Sequence, residues 1–314
     1  MNKHSIESLI LNYLAEKDIT SGTYDLYIRI LKQYTKYLID NQIVFAKTRD
    51  IINYLEWKRG QGYTTHWLYH QTTAIKGLYR YLSSNQKRLK LPEEYAQNIT
   101  ESIKNERINH KVSKPILTIE QAKKLLLFTK NNRKYIWHYR DYAIFYLMIT
   151  TGLRSVEIRR AKRKDLRIVD NQLILYIQGK GRRSTDDFVK ISKGVEEALN
   201  DYFKKRKDKN PYLFIVYRHR TTNPMISRSF FNKMIQRIFK ESGLEDTGIT
   251  AHSLRHTAAT LNLLRGGTLE STRQFMRHTN MSTTLIYAHL VERMKNDSEN
   301  LIEDYILGED KISD

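Results

Sequence analysis

The chain has 314 residues, which is long enough for two domains with at least one substantial hydrophobic core. It carries 54 Lys and Arg residues against 34 Asp and Glu residues, and the formal net charge of +20 predicts a polyanionic partner, most simply nucleic acid. The chain has no cysteine, which excludes a disulfide scaffold and a thiolate nucleophile. Because it shows neither a long apolar run nor a signal peptide, we expect no membrane association and a location in the bacterial cytoplasm or nucleoid.

Apolar residues recur at helical spacing in four stretches of the N-terminal part, which predicts a bundle of helices at about residues 5–16, 24–38, 49–57 and 64–82. The aromatic residues share this spacing, which favours packing in a core over stacking on bases. The cations off the apolar stripes predict an outward, DNA-facing surface that binds phosphates without reading the sequence. They are Lys58, Arg59, Lys76, Arg80, Lys87 and Arg88.

A polar stretch before Pro115 lacks apolar periodicity and predicts an inter-domain linker at residues 105–116. The predicted parts on either side are a DNA-binding domain at 1–104, a second domain at 117–290 and a tail at 291–314. Thr118 and Gln121 have the spacing of a capping box, so we expect a helix to begin there. A second helix, apolar along much of its length, is expected from about Arg140 to Gly152.

Arg154 follows Gly152 at the first turn of the next predicted helix, where backbone N–H groups and the helix dipole favour an anion. Glu157, one turn further on, would orient the guanidinium of Arg154. The alternative is an exposed salt bridge worth a few tenths of a kcal/mol. A cationic run after Glu157 predicts a second DNA-facing surface, made of Arg159, Arg160, Lys162 and Arg163.

Two short β-rich stretches, at residues 173–177 and 188–192, predict a hairpin. Its loop contains Lys180 between two glycines, which lets the backbone approach a ligand closely and lets the lysine reach into a groove. The alternative for Lys180 is a solubility charge on a turn. Arg182 and Arg183 follow in the same loop as candidate DNA contacts. Beyond Pro211 the pattern predicts a strand at 212–217 and a helix at about 227–242.

The stretch from 251 to 290 carries the residues best suited to chemistry. His252, Arg255 and His256 have the spacing of one helical face and would donate to a phosphate, while Tyr287 further on is a potential nucleophile. Taken singly, each is more often a solvated basic face or half-buried packing. A metal site is the alternative for the two histidines, but no glutamate or cysteine completes one, so we predict neither a metal nor a cofactor.

These motifs resemble, in order and spacing, the catalytic motifs of the tyrosine recombinases, the phage-integrase and Xer-like family, over about residues 115–290. They are Thr-Gly-Leu-Arg154-Ser-Val-Glu, Gly-Lys180-Gly, His252-Ser-Leu-Arg255-His, Met-Arg-His278 and Ser-Thr-Thr-Leu-Ile-Tyr287-Ala-His. The resemblance implies a mainly α protein with a small β-sheet, of the α+β class. A helical, SAM-like core-binding domain and the catalytic domain would together form a C-shaped DNA clamp.

The resemblance further implies that Tyr287 attacks the scissile phosphate and forms a 3′-phosphotyrosyl link without metal or ATP. The residues around that phosphate would be Arg154, Lys180, His252, Arg255 and His278, supported by Glu157 and His256. His252 would accept the phenol proton, and Lys180 would protonate the leaving 5′-hydroxyl. One departure is Arg277, at the position before His278 where relatives commonly have glycine, which puts the local backbone geometry in question.

Strand exchange in this family implies a homotetramer on two duplexes, a double-stranded recombination site and a Holliday junction. An accessory DNA-bending protein or a directionality factor would be a further partner. The tail at 291–314 would dock on a neighbouring protomer or pack on its own domain. Two other interpretations stay open at this point: a type IB topoisomerase-like enzyme, and a catalytically silent DNA-binding regulator with the same fold.

Overall fold

The computed structural model describes residues 3–107, 115–179, 185, 187–217, 224–245 and 248–307. The chain divides into two compact units, residues 1–111 and 112–314. This division falls inside the stretch that the sequence predicts as a linker, 105–116, while the finer domain limits stay predictions. No helix in the described ranges is long and apolar enough to cross a membrane.

The first unit is built from four helices, each longer than three turns. They are α1 (Lys3–Ala15), α2 (Ser21–Asp40), α3 (Thr48–Gly60) and α4 (Thr65–Ser84). Tyr34, Tyr54 and Tyr79 are buried between them, which confirms that these aromatic residues pack in a core. The phenol oxygens of Tyr34 and Tyr79 lie 3.0 Å apart, and the Tyr54 hydroxyl donates to Oε1 of Gln71 (2.9 Å). The hydroxyls of these three tyrosines are therefore satisfied inside the unit.

The second unit combines nine described helices with one small sheet. The helices are α5 (Ile119–Asn131), α6 (Ile136–Thr151), α7 (Ser155–Arg160), α8 (Lys193–Lys205), α9 (Arg228–Glu241), α10 (Ala251–Leu264), α11 (Leu269–Met276), α12 (Ser282–Lys295) and α13 (Ser298–Leu307). The strands are β1 (Leu166–Val169), β2 (Gln172–Ile177) and β3 (Asp187–Lys190), paired antiparallel in the order β1-β2-β3. The predicted class, mainly α with a small sheet, is confirmed.

Helix α6 lies at the centre of this unit and packs against α5, α8 and α10. Its Phe145 and Met148 are fully buried, as is Leu175 of β2, which pairs with Leu166 and Val189 on the neighbouring strands. The capping box predicted for α5 is present, because the Gln121 N–H donates to Oγ1 of Thr118 (3.2 Å) and the Thr118 N–H donates to Oε1 of Gln121 (3.0 Å).

The prediction of a strand at 212–217 is wrong. Among the described residues this segment makes only isolated bridges, Lys162 with Tyr212 and Ile215 with Met225. Its backbone pairs with two different loops, because the Leu213 N–H donates to the Ala161 carbonyl (2.8 Å) and the Val216 N–H donates to the Pro224 carbonyl (2.9 Å). No ladder builds up on one partner. The apolar run reflects burial in the core rather than a sheet, and neither β1 nor α8 was predicted.

The C-terminal region contains two helices with different surroundings. α12 runs past the predicted limit at residue 290, and its Val291 is buried in a cluster with Ala259 and Leu263 of α10. α13 has no buried residue. Its exposed apolar side chains are Leu301, Ile302, Tyr305, Ile306 and Leu307. The beginning of the predicted tail therefore packs on its own unit, whereas α13 leaves an apolar face uncovered in the described chain.

Candidate active site

Helix α6 ends at Gly152, which lies against the Met276 side chain of α11. Gly152 adopts the left-handed conformation (φ 61°), which a glycine takes at little cost and which ends the helix. A Cβ at this position would lie 2.9 Å from Sδ of Met276, so a side chain here would displace the Met276 side chain. The predicted stop at Gly152 thus also makes room for Met276.

Arg154 caps α7 and is joined to Glu157 as the sequence predicts. Its Nη1 donates to Oε1 of Glu157 (2.8 Å), and its backbone N–H donates to Oε2 (2.7 Å). The Arg154 side chain is 30% exposed and the Glu157 side chain 1%. The buried carboxylate therefore orients a guanidinium that solvent, or a ligand, can still reach.

Arg255 projects from α10 into the core of the site and is 2% exposed. Its Nη1 donates to the Gly152 carbonyl and its Nη2 to the Met276 carbonyl, so the guanidinium holds the ends of α6 and α11 together. Burial and the neighbouring charge of Arg154 lower the pKa of Arg255 to about 9. The side chain is still a cation at neutral pH.

His278 follows α11 and faces the nucleophile candidate. Its Nδ1 lies 2.9 Å from Oγ1 of Thr284, and its ring is stacked on Tyr287 with centroids 6.2 Å apart. Burial, and then the charges of Arg255 and Arg154, lower the pKa of His278 to about 4. The ring is therefore neutral at pH 7 and retains one N–H to donate.

Arg277 is the residue whose backbone the sequence puts in question. It adopts the left-handed conformation (φ 53°), which costs a residue with a Cβ about 1–2 kcal/mol and a glycine little. Its side chain is 9% exposed, and its Nη2 lies 3.4 Å from Oε2 of Glu157. Its Nε lies 3.7 Å from Oδ2 of Asp187. Burial lowers its pKa, and the two carboxylates oppose that shift.

Tyr287 lies on α12 and is 4% exposed. Its ring packs in a cluster with Ala259, Leu263 and Met276. Burial raises the pKa of the Tyr287 phenol, and the charges of Arg255 and Arg154 oppose that shift. The phenol is therefore protonated at neutral pH, while two cations favour its deprotonated form.

The two histidines of α10 extend from this centre towards solvent. His252 is exposed and His256 half-buried, with ring centroids 4.5 Å apart. The His256 ring lies 5.2 Å from that of Tyr287. The structure thus brings together Arg154, Glu157, Arg255, His256, His278 and Tyr287, with His252 at the edge. Lys180 lies outside the described residues.

Two contributors were missed by the sequence interpretation. Thr284 fixes the ring of His278, and Asp187 faces Arg277. For Thr284 the only signal was its place next to the Leu-Ile-Tyr motif, and for Asp187 there was none. Among the described residues, no three His, Cys, Asp or Glu side chains are grouped so that they could hold a metal ion.

The prediction that Lys58 faces DNA is wrong. Lys58 is 5% exposed, and its ammonium lies 4.7 Å from the ring centroids of both Trp57 and Tyr63. The aromatic faces attract the cation and shield it from solvent. Its charge is thus directed at its own unit and not outward.

The other cations predicted in the first unit fall into two groups. Arg80 and Lys87 are exposed. Arg59 and Arg88 are exposed too, but Arg59 pairs with Glu106 and Arg88 pairs with Glu16, while Lys76 donates to the Ile103 carbonyl (2.5 Å). Arg80 and Lys87 are therefore the better candidates for phosphate contacts.

In the second unit, Arg160 is exposed and Lys162 half-buried. Arg159 donates to the Ile226 carbonyl (3.3 Å) and Arg163 to the Asp208 carbonyl (3.3 Å), so part of the predicted cationic surface supports the fold. Arg182 and Arg183 lie in a segment that the structure does not describe.

Comparison with known proteins identifies the family of this site. The model of the phage integrase family matches residues 115–294, more than half of the chain and the whole set of helices around Tyr287. The chain belongs to the phage integrase family. The predicted resemblance to the tyrosine recombinases is thereby confirmed, and the recombinase interpretation is favoured over a topoisomerase or a silent regulator.

Relatives of this integrase-family chain match it along nearly its whole length. It is similar to tyrosine recombinase XerD of Listeria innocua serovar 6a, at 25% identity over 93% of this chain and 96% of the relative. It is also similar to tyrosine recombinase XerA of Pyrococcus furiosus, at 28% identity over 98% of this chain and 100% of the relative. The similarity therefore includes the first unit.

Solved structures share the fold at lower identity. XerH site-specific recombinase, in a post-cleavage complex with its palindromic difH substrate, has a TM-score of 0.72 at 21% identity, covering 89% of this chain and 80% of that one. A lambda integrase dimer bound to a COC′ core site has a TM-score of 0.66 at 17% identity, covering 91% and 77%. The fold of this chain is thus the fold of these recombinases.

Proposed function

We propose that this recombinase cuts and rejoins double-stranded DNA at a specific site through a phosphotyrosyl intermediate on Tyr287. One observation carries the proposal: the Tyr287 phenol is buried within reach of the charges of Arg255 and Arg154. Attack on a phosphodiester builds negative charge on its non-bridging oxygens, which two guanidiniums can bind. Family membership gives independent support.

In the proposed reaction Arg154 is the more accessible phosphate ligand and Arg255 the more rigid one. Arg255 uses two N–H groups on the Gly152 and Met276 carbonyls, and a guanidinium has five, so donors remain for a phosphate oxygen. His278 adds a neutral donor: Nδ1 lies 2.9 Å from the Thr284 hydroxyl, and we assign Nδ1 as the acceptor, which places the proton on Nε2. These groups are fixed before DNA binds.

The Tyr287 oxygen bonds to phosphorus as the bond to the 5′-oxygen breaks. Because the pKa of Tyr287 is raised, the phenol must lose its proton during attack, and we assign its acceptance to His252, next to His256. We assign protonation of the leaving 5′-hydroxyl to Lys180. The link conserves the energy of the broken bond, so a 5′-hydroxyl from another duplex can reverse the step without ATP and exchange strands.

The assembly that this reaction needs is part of the proposal. Exchange between two duplexes calls for a homotetramer with a Holliday-junction intermediate, in the cytoplasm, aided by an accessory DNA-bending protein or directionality factor. The XerH and lambda integrase structures contain DNA, which supports a duplex partner. We assign residues 1–104 to DNA binding, with Arg80 and Lys87 as phosphate contacts, and we assign a further phosphate contact to Arg160 of the second unit. The exposed apolar face of α13 would dock on a neighbouring protomer.

The test starts from a randomised duplex pool, from which the protein selects its site by binding. The selected sequence is then made as an end-labelled, nicked duplex, so that the cleaved fragment is lost and the adduct accumulates. Wild type is expected to give a covalent band on a denaturing gel in EDTA, and Tyr287→Phe none. A band with both proteins would move the nucleophile to another tyrosine. Binding without any band would overturn the proposal.

A further inference from the structure

Glu157 lies between two guanidiniums, although a single one would neutralise it. Its Oε1 accepts from Nη1 of Arg154 (2.8 Å), and Nη2 of Arg277 lies 3.4 Å from its Oε2. The carboxylate is 1% exposed, so solvent screens these pairings less than it would screen a pair at the surface. The position of the Glu157 carboxylate therefore depends on both Arg154 and Arg277. Asp187 faces Arg277 in turn, so two guanidiniums and two carboxylates form one connected network.

Arg277 also joins the site to the sheet. Its Nε lies 3.7 Å from Oδ2 of Asp187, the first residue of β3, and its Nη1 donates to the Phe275 carbonyl (3.0 Å). The other oxygen of Asp187 accepts from the Phe188 N–H (2.9 Å), which fixes the carboxylate. One side chain therefore connects α7, the end of α11 and β3.

We propose that Arg277 is a positioning residue for DNA cleavage. By contacting Glu157 it holds the carboxylate that orients Arg154, and through Asp187 it fixes β3 beside the site. The proposal rests on the function assigned above, because it concerns the rate of cleavage. It assigns to Arg277 no contact with the reacting atoms.

The backbone conformation of Arg277 allows the role of its side chain to be tested separately from backbone strain. Its φ of 53° suits glycine, so Arg277→Gly removes the side chain and relieves the backbone in the same step. A loss of activity in this variant cannot then come from backbone strain. Arg277→Lys is the second variant: it keeps a cation but lacks the planar fork that reaches two carboxylates.

A second readout does not need DNA. Arg277 is next to His278 in the chain, and its charge is one of those that lower the pKa of His278. Removing the charge should raise that pKa, because a protonated imidazole is then repelled less. Replacing an exposed cation elsewhere in the unit, such as Lys204 of α8, should leave the pKa of His278 unchanged.

The cleavage experiment uses the nicked duplex selected with the wild-type protein. Arg277→Gly should form the adduct about tenfold more slowly, less than the 10²–10³ expected for a group that donates directly to the phosphate. Its dissociation constant for the duplex should equal that of the charge-matched control Lys204→Gln. Arg277→Lys should fall between wild type and Arg277→Gly. Asp187→Asn made in the wild-type protein should slow adduct formation. Combined with Arg277→Gly, it should cause no further slowing.

The titration experiment follows the ¹³C-labelled histidine signals of the free protein with pH, with His278→Gln to identify the signal. The His278 midpoint should rise in Arg277→Gly and stay unchanged in Lys204→Gln. Wild-type cleavage rates in Arg277→Gly, or an unmoved midpoint, would overturn the role of Arg277. A wild type that forms no adduct while the midpoint still rises would instead overturn the proposed function and leave the electrostatic link between Arg277 and His278 standing.

Discussion

Buried tyrosines occur in both units, but their surroundings differ. In the first unit the hydroxyls of Tyr34 and Tyr79 bond to each other (3.0 Å), and burial raises the pKa of both. In the second unit burial also raises the pKa of Tyr287, but the charges of Arg255 and Arg154 oppose the shift. Burial alone therefore does not mark a reactive phenol. Nearby cations alone do not mark one either, because the charges of Arg206 and Arg140 oppose the raised pKa of buried Tyr202 as well. Tyr287 differs because one of its cations, Arg154, is 30% exposed and open to a ligand.

The largest effect should come from replacing one buried tyrosine of each unit, Tyr287 or Tyr79, by phenylalanine. Tyr287→Phe should abolish the covalent adduct with little change in stability, since its ring packing is kept. Tyr79→Phe should leave the adduct intact but lower the free energy of unfolding by about 1 kcal/mol, because it breaks the bond to Tyr34. Adduct assays and denaturant unfolding of both variants give the comparison. An equal loss of unfolding free energy in both variants would show that the surroundings of Tyr287 and Tyr79 do not differ in this way.

The cations around Tyr287 should come next in size. Arg154→Ala should slow adduct formation by about 10²–10³ because it removes a donor to the phosphate, while DNA affinity stays within about tenfold. Lys204→Gln, which also removes one charge, serves as the control. Rates come from the nicked duplex and affinities from titration of the same DNA. If rate and affinity fell equally, Arg154 would merely hold the DNA.

A smaller effect concerns pH and stability. The pKa of His278 is about 4 in the folded protein against 6.5 in the unfolded chain, so the unfolded chain binds more protons between these values. The stability that His278 contributes is complete above pH 6.5 and is lost as the pH falls towards 4. From pH 7 to pH 5 the loss should be about 2 kcal/mol. Urea unfolding of wild type and His278→Gln measures it, and the variant should lack this part of the pH dependence.

The smallest effects should distinguish the buried Lys58 from the exposed Arg80 of the first unit. Lys58→Met should lower the free energy of unfolding by about 0.5–2 kcal/mol, because its ammonium lies over aromatic rings. The salt dependence of DNA binding should not change. Arg80→Ala should do the reverse and reduce the salt slope by about 1. A reduced slope in Lys58→Met would return Lys58 to the DNA-facing surface.

Local signals in the sequence predicted much of the second unit. The capping box at Thr118, the helix stop at Gly152 and the pairing of Arg154 with Glu157 all depend on residues close in the chain, and all are present. The stretch at 212–217 shows the limit, since its apolar run is buried between loops from distant parts of the chain.

The features that could not be predicted from the sequence depend on contacts between separate elements of the fold. Lys58 lies off the apolar stripe of α3, yet Tyr63 from the following loop covers it. The motif shows that an arginine at position 277 is unusual, but it does not show which residues Arg277 contacts. Asp187 is far from Arg277 in the chain and meets it only because α11 ends beside β3.

The position of α12 has a consequence for mixed assemblies. This helix packs on α10 of the same chain, so Tyr287 and Arg255 of one protomer belong to one site. In the proposed assembly each protomer would then bring its own nucleophile to the phosphate that it binds. A protomer lacking Tyr287 cannot be complemented by one lacking Arg154, and an equimolar mixture of the two should remain as inactive as either alone.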